Sequence, residues 1–150
     1  MNVLDAIAHT LKREGIEYLC TFPTTHIIES AAELGIRPII CRQERVGVGM
    51  ADGYARTTGK PGVALVVPGP GIYNAGGGLS TAFSRSSPVV LIAGQIPRAT
   101  IGQNLGGLHE VNDQKEITNP ITKWQKQVLR PHEVPEGIHE AFRQAQSDRP

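Results

Sequence analysis

The sequence predicts an α/β fold: a three-layer αβα domain with a mainly parallel, doubly wound sheet. Three observations carry this. Apolar runs of four to six residues alternate with segments of helical periodicity along the chain. Two of those runs, GVALVV at 62–67 and PVVLIA at 88–93, are apolar throughout, as parallel strands covered on both faces are. The 17 glycines and 11 prolines gather between the periodic segments, at 61–78 and 102–107, and so mark shaped loops rather than a disordered linker.

The elements follow in order. Residues 3–14 read as a helix with Leu4, Ile7, Ala8 and Leu11 on one face and Gly15 as its stop. EYLCTF at 17–22 is a short buried strand ending at Pro23. Residues 25–34 form a second helix on Ile27, Ile28, Ala31 and Leu34, and 38–41 a second strand. The third helix covers 44–57, stopped by Gly59 and Pro61. After the strand at 62–67, a Pro/Gly loop leads to a helix at about 73–83 and the strand at 88–93. Residues 94–108 are irregular. A short helix at 113–118, a strand at 124–129 and a last helix from Pro135, striped by Ile138, Ala141, Phe142 and Ala145, complete the chain. Right-handed crossovers put all the strands' carboxyl ends on one rim, where such sheets bind ligands.

At 150 residues the chain has room for one domain with a real core. Its net charge of +1, with no run of four basic residues, argues against nucleic acid or an anionic membrane as partner. No apolar stretch approaches the ~20 residues of a membrane span, and the first residues lack the basic-then-apolar order of a signal peptide, so a cytoplasmic setting is expected. Cys20 and Cys41 end apolar runs without CxxC spacing and read as buried free thiols.

The chemistry-bearing segments lie on the rim. Glu44 follows the second strand and opens a helix. A first-turn acid there favours the helix dipole by about 0.3–1 kcal/mol, and the same placement would suit a functional carboxylate. The helix behind it carries Gly47, Gly49 and Gly53, each costing up to about 1 kcal/mol against alanine, which points to tight packing, within the domain or across a subunit interface. The loop VPGPGIYNAGGG does not fit GxGxxG, because Asn74 stands where the third glycine would be, and no Gly-Lys-Ser/Thr follows. A rigid loop presenting a carbonyl or Asn74 to a ligand is the better reading. His109 and Glu110 follow the glycine-rich GQNLGG, either as an exposed loop or as a loop that closes over a site. His9, His26, His132 and His139 show no metal spacing, so no metal site is assigned, and Trp124 reads as a packing residue.

Taken in order, FPTTHI, RQERVGVGMADGYARTTGKPG, ALVVPGPGIYNAGGGLSTAFSRSSPVVLIAGQIP and LHEVNDQKEITNPITKW closely resemble the N-terminal pyrimidine-binding (Pyr) domain of thiamine-diphosphate-dependent enzymes, the acetolactate synthase-like group. The resemblance implies that Glu44 is the cofactor-activating glutamate. It would hydrogen-bond the aminopyrimidine ring nitrogen and promote the imino tautomer, which removes the thiazolium proton to give the ylide. It implies that Pro23, Thr24 and Thr25 form a loop near the reacting substrate, with two threonines in place of the usual glycines. It implies that Pro70 and Asn74 touch the aminopyrimidine. Pro68 stands where a serine is common. His109 stands where acetolactate synthases usually have glutamine, and a histidine there could exchange a proton near neutral pH.

The same resemblance implies that this chain holds only the aminopyrimidine end of thiamine diphosphate. The diphosphate and its Mg²⁺ would sit on a PP domain of a partner subunit, in a homo-oligomer (dimer or tetramer) formed through the Glu44 helix region, with FAD allowed elsewhere in the full protein. It implies a single Pyr domain over 1–150, part of a longer chain or one half of a split enzyme, inactive in isolation. The expected activity is that of a lyase or carboligase acting on a small-molecule 2-oxo acid. The alternatives are the Pyr subunit of a split 2-oxo acid decarboxylase (sulfopyruvate or phosphonopyruvate type) and a non-catalytic Pyr-like dimerisation module. A nucleotide-binding Rossmann domain is weaker, because the glycine spacing opposes it.

Overall fold

The computed structural model describes residues 2–23 and 26–150. The loop positions Thr24 and Thr25 lie outside the described residues. Helix α1 (Val3–Arg13) is started by a reciprocal cap: the Asn2 side chain accepts from the Asp5 N–H at 2.9 Å while the Asp5 carboxylate accepts from the Asn2 N–H at 3.2 Å. There follow β1 (Tyr18–Thr21), α2 (Ile27–Glu33), β2 (Arg37–Ile40), α3 (Glu44–Thr58), β3 (Gly62–Val66), α4 (Pro70–Arg85) and β4 (Val89–Ala93). Beyond an irregular stretch come the short α5 (Gln114–Thr118) and the final α6 (Val134–Gln146). No helix among the described residues is long and apolar enough to cross a membrane.

The four strands are parallel, in the order β2-β1-β3-β4. Helices α1, α2 and α6 cover one face, where Leu11, Ile36, Leu65 and Phe142 form the larger core. Helices α3 and α4 cover the other, over Val48, Ala64, Val66 and Leu79. This is the three-layer α/β arrangement that the alternating pattern predicts. Cys20 and Cys41 are buried and unbridged, and burial, then the neighbouring Cys41, pushes the Cys20 thiol up to about 11.

The α3 glycines divide into two kinds. Gly47 faces inward, where a Cβ would come 3.0 Å from Cys41 Sγ. Gly49 and Gly53 face open space. The tightest approaches involve other glycines. At Gly62 a Cβ would overlap the Ala51 carbonyl oxygen, so β3 runs directly under the α3 backbone. At Gly78 it would come 2.9 Å from Val48 Cβ and 3.1 Å from the Arg45 carbonyl, so α4 crosses α3 nearly backbone to backbone.

Two expectations are corrected. Helix α4 starts at Pro70 rather than near 73, because Gly69 takes φ +57° and its carbonyl accepts the Ile72 N–H at 3.0 Å, closing the first turn early. The segment 124–129 is not a strand. Among the described residues it makes no backbone–backbone hydrogen bond; a cleft of about 890 Å³ lies between it and β4, and it is tied by side chains instead. Arg98 donates to the Leu129 carbonyl at 3.3 Å, and the Gln125 amide reaches Thr118 and Asn119 at 3.2 Å each.

The same substitution should act with opposite sign at two glycines. Gly62→Ala forces β3 and α3 apart and is expected to cost about 1–3 kcal/mol or more. Gly49→Ala, on an exposed helix face, should gain about 0.5–1 kcal/mol. Urea midpoints of the two variants against the parent check this.

Candidate active site

The strand order reverses its direction of growth between β1 and β3, so the rim at their carboxyl ends is the switch point of the sheet. Four loops meet along that rim: Phe22–Pro23 after β1, 41–43 after β2, 67–69 after β3 and Gly94 onward after β4. Each expected site residue among those described falls on or beside one of them.

Glu44 is the first residue of α3 and is only 4% exposed. Its position at the helix N-terminus places the carboxylate where the dipole favours negative charge. Oε2 accepts from Asn74 Nδ2 at 3.0 Å. Oε1 faces α4 at Gly71, where a Cβ would stand 3.1 Å from it and 2.6 Å from Val67 Cγ2, so only bare backbone fits. Among the described residues Oε1 has no hydrogen-bond partner and Glu44 no cationic partner. Burying a carboxylate without a counter-charge is costly, and proteins that do so ordinarily use it.

Asn74 lies one turn beyond Pro70 on α4, at the surface, with its amide turned inward onto Glu44. Pro70 is exposed at the first position of that helix. Pro68 is half-buried and packs under Gly94, where a Cβ would meet its Cδ at 3.0 Å. Pro23 is exposed beyond β1.

Residue 114 carries a part that sequence reasoning missed. The Gly69 N–H donates to Gln114 Oε1 at 2.7 Å, and Gln114 Nε2 donates to the Gly94 carbonyl at 3.2 Å. One side chain thus ties the β3–α4 loop to the end of β4. The signal available was Asp113, which caps α5 through the Lys115 N–H at 2.7 Å and so fixes the residue after it at a helix start.

His109 is half-buried at φ +68°, and its main chain lies against Gly69, where a Cβ would come 2.5 Å from the His109 carbonyl oxygen. Gly69 is therefore required twice, for its own positive φ and for this contact. The loop before His109 is closed by Glu110, whose carboxylate accepts from Leu105 N at 3.2 Å and Gly107 N at 2.9 Å. The Gly107 amide above all holds this carboxyl below the usual range. The structure thus seats His109 beside the start of α4, and no hydrogen bond joins it to Glu44 among the described residues. His139 pairs with Glu14 at 2.7 Å on the surface. Among the described residues no three metal-ligating side chains cluster.

The domain is thus a parallel α/β sheet whose switch-point rim, the place where such sheets bind ligands, holds a buried helix-start carboxylate beside a proline–glycine loop. The chain belongs to the family described as thiamine pyrophosphate enzyme, N-terminal TPP binding domain, whose model matches residues 1–117. It is 36% identical to a probable 2-ketoarginine decarboxylase of Pseudomonas aeruginosa over 148 residues, 97% of this chain and 26% of that protein. It is 35% identical to the acetolactate synthase large subunit of Haemophilus influenzae, again over 97% of this chain and 26% of the relative. The chloroplastic acetolactate synthase of Arabidopsis thaliana is 37% identical over 97% of this chain and 22% of its own length. The chain therefore spans about a quarter of the length of these relatives.

The Glu110 latch should respond to acid with a definite sign. A carboxyl whose folded value is lowered stabilises its loop fully above the ordinary value of 4.5 and loses that effect as pH falls through the lower folded value. In an NMR titration the Leu105 and Gly107 amide signals should hold to about pH 4.5 and move below it, and Glu110→Gln should abolish the step.

Proposed function

We propose that this chain is the domain that binds and activates the aminopyrimidine end of thiamine diphosphate, in an enzyme that makes or breaks a carbon–carbon bond beside the carbonyl of a 2-oxo acid. The observation that carries the reading is Glu44: buried at the rim, one oxygen fixed by Asn74, the other facing a wall of bare backbone.

The donor set suits the group. A heteroaromatic ring nitrogen needs one carboxyl oxygen with which to share a proton, and Glu44 Oε1 has no other partner among the described residues. The Asn74 amide holds Oε2 and orients the carboxylate, so Oε1 is the oxygen left to meet the ring nitrogen. Gly71 lets the α4 backbone pack against Val67 and the Glu44 carboxylate, where no Cβ would fit. Pro70, Asn74, Pro23 and the threonines at 24 and 25 are the further residues proposed to line the ring and the reacting centre. When bound, the cofactor supplies the electron sink for cleavage or formation of the carbon–carbon bond.

His109 is proposed to face the reacting centre and to exchange a proton there, carried by the latch at Glu110 and the contact with Gly69. The diphosphate and its Mg²⁺ belong on this reading to a PP domain of a partner subunit. The α3–α4 surface supports such a partner: Val46 is 48% and Tyr73 57% exposed beside the open Gly49 and Gly53. A longer polypeptide of the acetolactate synthase-like kind is the first reading. The Pyr subunit of a split 2-oxo acid decarboxylase is the second.

The test is Glu44→Gln in the complete enzyme, assembled with its diphosphate-binding domain. Cofactor binding by calorimetry should persist. Proton exchange at the thiazolium carbon, followed by NMR, and turnover should both fall about 10²–10⁴-fold. Unchanged exchange would remove Glu44 from the role.

A further inference from the structure

The β3–α4 loop has few ties of its own. Pro68 and Pro70 carry no N–H, and the bonds from Gly71 N to the Pro68 carbonyl (3.4 Å) and from Ile72 N to the Gly69 carbonyl (3.0 Å) close within the turn itself. The β3 ladder ends before the loop, with Gly94 N on the Val66 carbonyl at 3.1 Å. Among the described residues one hydrogen bond reaches residues 67–70 from outside this loop and its helix: the buried Gly69 N–H donates to Gln114 Oε1 at 2.7 Å.

The other end of the same amide completes a clasp. Gln114 Nε2 donates to the Gly94 carbonyl at 3.2 Å, just beyond the end of β4. The two partners have opposite polarity, so the side chain between them must accept at one atom and donate from its neighbour. A neutral carboxamide does both, and neither a carboxylate nor an alkyl chain does. Gln114 is itself fixed at the start of α5 by the Asp113 cap, and α5 packs on α4.

From Gly69 the path to Glu44 is short. Gly69 opens α4, and Pro70, at the first position of the helix, lies one turn below Asn74. Asn74 Nδ2 donates to Glu44 Oε2 at 3.0 Å. The main chain of His109 rests on the same glycine, where a Cβ would come 2.5 Å from the His109 carbonyl oxygen. A shift of Gly69 therefore disturbs the amide that orients the carboxylate and the support of His109 together. Loss of Gln114 also strands a buried N–H, a cost that the loop relieves by moving toward water.

We propose that Gln114 is a positioning residue for the Glu44 site. It clasps the end of β4 to the β3–α4 loop and so sets the first turn of α4, from which Asn74 orients the Glu44 carboxylate. The proposal rests on the cofactor-activating role of Glu44 and adds to it a residue that acts through Asn74.

Two substitutions in the complete enzyme test it. Gln114→Met keeps the length and removes both bonds. Gln114→Glu keeps an oxygen that accepts from Gly69 and sets a second oxygen against the Gly94 carbonyl. Protonated, that oxygen donates to the carbonyl and the clasp is whole. Ionised, its lone pairs oppose those of the carbonyl and the clasp opens. The carbonyl, partial burial and Asp113 raise this carboxyl against the pull of Lys115 and the Gly69 N–H, to about 6 from an ordinary value of about 4.3. The clasp of this variant is thus made below about pH 6 and lost as pH rises through it. Ratios to the parent at each pH cancel the titration of Glu44, His109, Glu110, Asp113 and Lys115, which both proteins share.

One readout is amide exchange of residues 71–74 in the cofactor-free enzyme, followed by mass spectrometry. The other is proton exchange at the thiazolium carbon in the loaded enzyme. At every pH, Gln114→Met should speed the first and slow the second at least about 10-fold each, with cofactor affinity by calorimetry within about 3-fold of the parent. Gln114→Glu should match the parent at about pH 5 and Gln114→Met at about pH 8. Parent-like amide exchange in Gln114→Met overturns the proposal, as does a Gln114→Glu ratio that does not change with pH. Loosened amide exchange with an unchanged thiazolium rate, where Glu44→Gln slows that rate, also overturns it and leaves Gln114 a structural tie only. If Glu44→Gln leaves the thiazolium rate unchanged, the cofactor role of Glu44 fails and the proposal falls with it. Should Gln114→Met not fold, Gln114→Glu decides alone, because acid and base compare the clasp made and broken in one protein.

Discussion

Everything in this domain follows from the approach of α3 to its neighbours without intervening side chains. At Gly62 the β3 backbone runs against the Ala51 carbonyl, and at Gly78 the α4 backbone runs against Arg45 and Val48. A helix held that close from two sides has one position available to it. The consequence appears at its first residue. Glu44 is brought against Gly71 of α4 and within 3.0 Å of the Asn74 amide, an approach that a Cβ at position 71 would block. Interiors at this density do not deform gradually, so the geometry of the carboxylate is inherited from packing within about two turns of it along α3.

The electrostatics of the rim follow the same logic. A buried carboxylate is tolerated when dipoles replace the lost water. Here the dipoles are the start of α3 and a single side-chain amide, rather than a guanidinium or ammonium. An ion pair would satisfy the acid and also occupy it. Dipoles on one side leave the other oxygen available to a partner that brings its own nitrogen. The acid on the irregular loop is treated oppositely: Glu110 is spent on the Leu105 and Gly107 amides and shapes the chain before His109. Two carboxylates near one rim thus divide into one held in reserve and one consumed by structure.

The layers, four of the five expected strands and the rim position of Glu44 were legible in the sequence because each rests on local pattern. Apolar runs such as GVALVV and PVVLIA have few places to go in a fold of this size, and the acid at a strand-to-helix junction lies on the rim by topology alone. The role of Gln114 was not legible, since its two partners, Gly69 and Gly94, are 45 and 20 residues away and are backbone groups that any sequence presents. The α3 glycines were legible only as a group: Gly47 packs inward while Gly49 and Gly53 look outward, a division that depends on which face meets the sheet. The expected strand at 124–129 has the right composition, but a strand needs a neighbour, and composition does not show whether one is present.

Two unfinished surfaces remain on the domain, and they differ in kind. The edge of β4 offers backbone donors and acceptors between apolar walls. The α3–α4 face offers exposed Val46 and Tyr73 and bare helix at Gly49 and Gly53, an apolar surface that packing can cover. Glu44 opens the second of these faces and lies across the sheet from the first. Covering the α3–α4 face is therefore what settles the surroundings of the Glu44 oxygen that has no hydrogen-bond partner among the described residues.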